Sequence, residues 1–178
     1  LNITAEYTDN EALSRGIQRP DAQALIDGGT PGVGADSPFG DEPFVQTWGR
    51  PETSGLRTFF NAGIDLGGNN ELYGFGNYAE TEGRYRFFYR GPNHSSLTPL
   101  RTAGFTGLPA GYTPFLDGDQ TDYSLVGGLR GEKSGLSFDF SFGFGRNALD
   151  YFLNNTINPS LGLSGGEPAQ RDFDVGGY

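Results

Sequence analysis

Three groups of side chains in this chain have the types and spacing to do chemistry. Asp117-Gly118-Asp119-Gln120-Thr121-Asp122 gathers three carboxylates in a short run, an oxygen-rich cluster of the kind that holds calcium. Asp117, Asp119 and Asp122 are therefore the weak calcium candidates, although the run lacks the D-x-D-x-D-G spacing and distal Glu of an EF-hand loop, and Asp-Gly is also ordinary turn chemistry. His94 is the only histidine and stands in Asn93-His94-Ser95-Ser96. It has no G-x-S-x-G elbow to serve, and one histidine gives no all-protein zinc site, so a solvated loop residue is the expected role. Arg84-Tyr85-Arg86-Phe87-Phe88-Tyr89-Arg90 mixes guanidinium forks with aromatic faces. Forks suit carboxylate or phosphate, and aromatic faces suit sugars or planar chelates. Arg84, Arg86, Tyr89 and Arg90 are the candidate ligand contacts here, with Trp48, Arg50 and Tyr112 as weaker loop candidates on the same grounds. The expected role of the run itself is an aromatic girdle whose arginines reach lipopolysaccharide phosphates, with ligand contact as the alternative. With no cysteine, thiol catalysis, disulfides and cysteine-based metal sites are excluded. No enzymatic activity and no resident cofactor are expected.

The elements that must carry these residues are strands. From Leu136, Phe138, Phe140, Phe142 and Phe144 alternate with Ser137, Asp139, Ser141, Gly143 and Gly145, and only a strand puts successive side chains on opposite faces. Tyr123, Leu125, Gly127 and Leu129 alternate likewise, with Glu132-Lys133-Ser134-Gly135 as the turn between them. The spans predicted as strands are 1–10, 55–66, 71–90, 121–132 and 136–153; the long connections are 11–54, 91–120 and 154–178. Asp21 to Asp27 is long enough for a turn or two of helix. Gly67-Gly68-Asn69-Asn70 is a compact turn. In Gly74-Phe75-Gly76 and Gly143-Phe144-Gly145 no helix follows, so these are not phosphate loops; glycines at strand period are expected to relieve crowding on the polar, lumen-facing side or to let the sheet bend.

Long and short connections alternate along the chain. In a meander this sorts the tight turns to one edge and the long loops to the other, as in outer-membrane barrels. Strands of roughly ten alternating residues match a membrane-crossing β-strand better than the roughly five to six usual in globular sheets. The fold class expected is all-β: an antiparallel up-and-down meander, part of a transmembrane outer-membrane β-barrel with long extracellular loops. Mean hydropathy of −0.47 excludes a helical membrane span and leaves a barrel open. A net charge of −10 makes nucleic acid an unsuitable partner. The chain has no Met and begins inside an alternating run, so it is expected to be processed or a piece of something longer.

The runs FFNAGIDLGGNNELYGFGNYAETEGRYRFFYRGPN (Phe59 to Asn93) and DYSLVGGLRGEKSGLSFDFSFGFGRNALDYFLNNTINPSLG (Asp122 to Gly162) resemble strands of TonB-dependent outer-membrane receptors. The resemblance spans nearly the whole chain and rests on composite β-patterns, with no catalytic signature. It implies an internal segment of a barrel of about 22 strands with a plugged lumen. It also implies TonB-dependent uptake of a scarce small-molecule ligand: an iron chelate, glycan, peptide or cobalamin-like compound. The implied partners are outer-membrane lipid, lipopolysaccharide and the TonB system through a plug segment; no plug, TonB box or closing strand is recognisable in this stretch. The alternative is a self-assembling extracellular or surface β-protein that pairs through open edges into a fibre or sheet. A third expectation, a secreted carbohydrate-binding β-sandwich, requires the Phe ladder to meet a second layer.

Overall fold

A computed structural model of the chain describes residues 1–40 and 42–177. Its centre is one six-stranded antiparallel sheet of β1 (Asn2–Asn10), β2 (Glu52–Gly67), β3 (Asn70–Arg86), β4 (Phe115–Lys133), β5 (Leu136–Asn154) and β6 (Phe173–Gly177). Strand order follows chain order, which makes the sheet a meander; it is open, with β1 and β6 at its edges. The expected all-β antiparallel meander is therefore the fold.

Two tight turns close one end. Between β4 and β5, Ser134 (φ +55°) and Gly135 (φ +78°) both take the left-handed conformation, the type I′ geometry that matches strand twist. Between β2 and β3, Gly68 and Asn69 do the same, and the Asn70 side-chain amide donates to the carbonyls of Gly67 and Gly68. At the opposite end lie the three long connections, 11–51, 87–114 and 155–172.

Several boundaries differ from the predicted spans. β2 begins at Glu52, β3 ends at Arg86, and β4 begins at Phe115, six residues before the predicted 121. In 115–120 the apolar alternation is gone, yet the ladder continues from Arg86↔Phe115 onward. Main-chain hydrogen bonds do not need a greasy face, so periodicity stops where the ladder does not. The predicted loop 154–178 also contains β6, which pairs with β5 from Phe173↔Leu153 across a bulge.

The connections are themselves folded. α1 (Pro20–Asp27) occupies the predicted helical stretch with Pro at its first turn, and α2 (Thr98–Thr102) lies in the second connection. Leu97, Leu100, Phe105, Leu108, Tyr112 and Ile157 form one hydrophobic cluster, to which Phe39 adds a ring. Ala22, Val33, Phe44 and Ala110 form another. The Asn155 side chain donates to the Phe39 carbonyl at 3.1 Å, tying the third connection to the first. All three connections thus pack into one cap at the loop end of the sheet.

The sheet contributes almost nothing to this core. Directly paired residues of an antiparallel ladder share a face, so the register assigns every side chain. One face carries Ile3, Ala5 and Tyr7 of β1; Leu56, Thr58, Phe60, Ala62 and Ile64 of β2; and Leu72, Gly74, Gly76 and Tyr78 of β3. It continues through Tyr123, Leu125, Gly127 and Leu129 of β4 to Leu136, Phe138, Phe140, Phe142 and Phe144 of β5. The rows of Phe138, Phe140, Phe142 and Phe144 carry no Asp, Glu, Lys or Arg; charged side chains enter this face only at the margins, Lys133 beside Leu136, Arg146 beside Tyr123 and Glu80 beside Leu56. From Leu136 to Phe144 this apolar band spans about 27 Å of strand. Among the described residues nothing covers it: Phe140 is 72% and Phe142 77% exposed. Gly74 and Gly76 lie on this apolar face and not on the polar face expected for them. The Phe60 ring lies over Gly76, where a Cβ would meet it at 2.8 Å. Gly143 and Gly145 are on the polar face, as expected.

Candidate functional site

The polar face is built by the alternate residues of the same strands, and its side chains find one another across the ladder. Near the turns, Glu71 pairs with Arg130 at 2.7 Å, the Arg130 guanidinium lies 5.2 Å from the Tyr73 ring centroid, and the Tyr73 hydroxyl donates to Asp139 at 2.8 Å. Tyr73 fits because its neighbour in the ladder is Gly128, over which the ring lies. Higher up, Asn77 donates to Asp122 Oδ1 at 2.6 Å and Asn147 donates to Asp122 Oδ2 at 3.0 Å, while the Ser124 hydroxyl donates to Asn77 Oδ1. Arg57 meets Glu6 at 3.3 Å, both largely exposed. Register places Glu6, Arg57, Ala79, Asp122 and Asn147 in one row and Thr4, Phe59, Asn77, Ser124 and Gly145 in the next. A groove of about 510 Å³ runs over these rows. The alternation assigns these residues to the polar face; their adjacency depends on register, which no single strand reveals, so they are missing from the sequence-derived candidates.

The seven predicted ligand contacts gather at the loop end without forming one surface. Arg84 is on the apolar-band face beyond the band, held bidentately by Asp117 at 2.7 and 2.9 Å; Asn154 also donates to Asp117 at 2.7 Å. Arg86 is held by Glu42 of the first connection at 2.9 Å. Both guanidinium groups lie over the ring of buried Phe115, at 5.0 and 5.3 Å. These pairs join strand to strand and strand to cap. Arg90 donates to the Tyr112 hydroxyl at 3.1 Å and lies over its ring; Tyr112 is enclosed in the cap core. The Tyr89 hydroxyl donates to the Ala110 carbonyl, and burial pushes its pKa up.

Trp48, Arg50 and Arg86 do come together, with Tyr85 and Thr47, around a notch of about 90 Å³. The Trp48 ring packs edge-on against Phe88 at 5.5 Å, and both rings are about two-thirds exposed. Arg50 donates to the Glu11 carbonyl at 3.1 Å. The Thr47 hydroxyl is buried with no hydrogen-bond partner among the described residues.

The three carboxylates proposed for calcium do not converge. Asp117 and Asp119 share the apolar-band face and Asp122 stands on the polar face, because an odd separation along a strand reverses the side chain. Arg84 and Asn154 already occupy Asp117. Among the described residues no group of three or more His, Asp or Glu side chains is placed to hold a metal ion. His94 Nδ1 lies 2.8 Å from the Ser96 hydroxyl, which in turn lies 2.8 Å from the Tyr112 hydroxyl. The arrangement is a local turn fastened to the cap core.

No helix among the described residues is long and apolar enough to cross a membrane, which has no bearing on crossing by strands. No family model, no curated protein and no solved structure matches the chain.

Proposed function

We propose that the chain is part of the wall of an outer-membrane β-barrel that takes up a scarce small-molecule ligand in the manner of TonB-dependent receptors. The observation that carries this reading is the uncovered band from Leu136 to Phe144 and its neighbours. Apart from Lys133 beside Leu136 at the turn end, its rows from Phe138 to Phe144 are free of Asp, Glu, Lys and Arg, while the hydrophobic core lies in the cap. In water such a surface is costly at about 25 cal/mol per Å² of apolar area; against hydrocarbon it is the favourable one. Its height, about 21 Å once a strand tilt of roughly 40° is applied to its length, approaches the roughly 25 Å apolar band of outer-membrane barrels. Tyr78 and Tyr123 border it on the cap side in one row with Arg146, and Glu80, Glu82, Arg84, Asp117 and Asp119 follow beyond them. That order fits an aromatic girdle, then charges among lipopolysaccharide headgroups, then an extracellular cap. The polar face lines the lumen, and energy arrives from the TonB system through a plug.

The test uses the single tryptophan. In a Trp48→Phe background, Phe142→Trp and Ser141→Trp place the fluorophore on opposite faces of β5, and the protein is reconstituted with brominated phospholipid. Strong quenching of the first and little of the second supports the reading; equal quenching, or none at Phe142→Trp, refutes it.

One observation favours a second reading. β1 and β6 are sheet edges, and each leaves a row of main-chain groups free to pair with another copy. A self-assembling surface β-protein predicts polymers in detergent-free buffer whose growth stops when Thr4 and Glu6 of β1 are replaced by proline.

A further inference from the structure

We infer that the groove on the polar face is a binding site for a neutral oligosaccharide. The inference deepens the transport reading by naming the ligand class of the lumen wall, and it relies on that reading only in taking this face as accessible. At about 510 Å³ the groove lies within the range of ligand sites, about 300–1,000 Å³. Its floor is low because Ala79, the smallest side chain in its row, stands between Arg57 and Asp122. At its edge the Phe59 ring is 43% exposed, one of the apolar side chains, with Phe75 and Val126, that this face carries among its polar groups.

The polar groups around that ring suit hydroxyls. Asp122 accepts from both Asn77 and Asn147, which fixes its orientation and leaves its remaining lone pairs aimed by the scaffold. Asn77 accepts from Ser124, which fixes its amide in turn. The Arg57–Glu6 pair at 3.3 Å is loose and exposed, so both can turn to a ligand. A sugar hydroxyl donates to a carboxylate and accepts from a guanidinium at once, and a pyranose ring sets its C–H face on an aromatic face. All of these groups sit on strands, which position side chains more rigidly than loops do.

Charge decides against the anionic ligand chemistries. The groove sets one cation, Arg57, against the carboxylates Glu6 and Asp122, and the chain carries −10 overall. That field repels anionic chelates and acidic glycans at a distance and again on contact. A neutral polyol meets no such barrier.

The experiment measures binding to the full protein in a zwitterionic, sugar-free detergent. Probes are maltohexaose, cellohexaose and xylohexaose, with hexagalacturonate and ferric citrate as anionic counterparts. At least one neutral hexasaccharide should show saturation transfer from aromatic protons and a measurable heat of binding. Phe59→Leu, which keeps an apolar strand residue and removes the ring, should weaken it tenfold or more. Asp122→Asn, which keeps the side-chain shape and one acceptor oxygen, should do the same in a protein whose circular dichroism shows the native strand content. Trp48 fluorescence should stay constant throughout, since Trp48 lies in the cap. Binding by an anionic probe alone, by none of the probes, or by a neutral probe indifferent to both substitutions overturns the assignment. A neutral probe that shifts Trp48 fluorescence while ignoring Phe59→Leu places the sugar at the cap and also overturns it. The outcome is independent of the lipid-quenching result at Phe142→Trp, so failure of the ligand assignment and failure of the membrane reading are told apart.

Discussion

Replacing Phe140 with arginine separates lipid from water as the surroundings of the apolar band. Phe140 is the midpoint of Leu136–Phe144, pairs with Leu129, and is 72% exposed. No neighbour is crushed by the longer side chain and no core contact is lost, so in water the substitution belongs with surface changes within about 0.5 kcal/mol. At the midplane of a bilayer the same arginine costs about 2–4 kcal/mol, falling to about 0–1 kcal/mol near the interfaces. The structure then fixes a profile. Arginine at Phe140 should carry the full cost, equivalent to ~30- to ~900-fold in the folding equilibrium. Arginine at Leu136, beside Lys133 at the turn, or at Phe144, in contact with Tyr123 at 6.0 Å, should cost about 1 kcal/mol or less. Ser141→Arg, on the other face, should be near neutral. The assay is a urea titration of the protein reconstituted in phospholipid vesicles, followed by protease protection. A flat profile, or a penalty at Ser141 equal to that at Phe140, would refute the reasoning.

The cap makes its own predictions. Arg101 donates from one guanidinium to the carbonyls of Phe105, Gly107 and Leu108; Arg101→Ala should destabilise the cap by about 2–3 kcal/mol, read as faster hydrogen exchange over 97–112, and Arg101→Lys should not rescue it because an ammonium lacks the fork. Tyr89 has its folded pKa raised by burial, so the cap should hold full stability below the unfolded tyrosine value of about 10 and lose it as pH rises through the folded value; a melting temperature that stays level to higher pH in wild type as in Tyr89→Phe would contradict this. Gly135→Ala at φ +78° should cost about 1–2 kcal/mol by strain in the turn, with slower hairpin formation in refolding kinetics. Asp117→Ala strips Arg84 of its bidentate partner; both groups being partly exposed, a loss of about 1 kcal/mol is expected in denaturant melts.

By itself the sequence determined five of the six strands, the two faces of the Tyr123–Gly145 hairpin and the sorting of long and short connections. Period-two alternation is a property of one strand, and Leu136 to Gly145 carry it without reference to anything else. It was silent in 115–120, where Phe115 and Leu116 are followed by polar and small residues without alternation, and in 173–177, where the alternation is too short to be told from a loop. What only the tertiary structure decided is which side chains meet. Arg84 and Arg86 read as free ligand contacts until Asp117 and Glu42, distant in the chain, were brought against them. Asp117 and Asp122 read as one cluster until strand geometry put them on opposite faces. Asn77, Asp122 and Asn147 came together only through the register of three strands. Alternation fixes the direction of a side chain, but its neighbour depends on how far one strand has slid along the next, and that offset is set by the turns and the cap acting together.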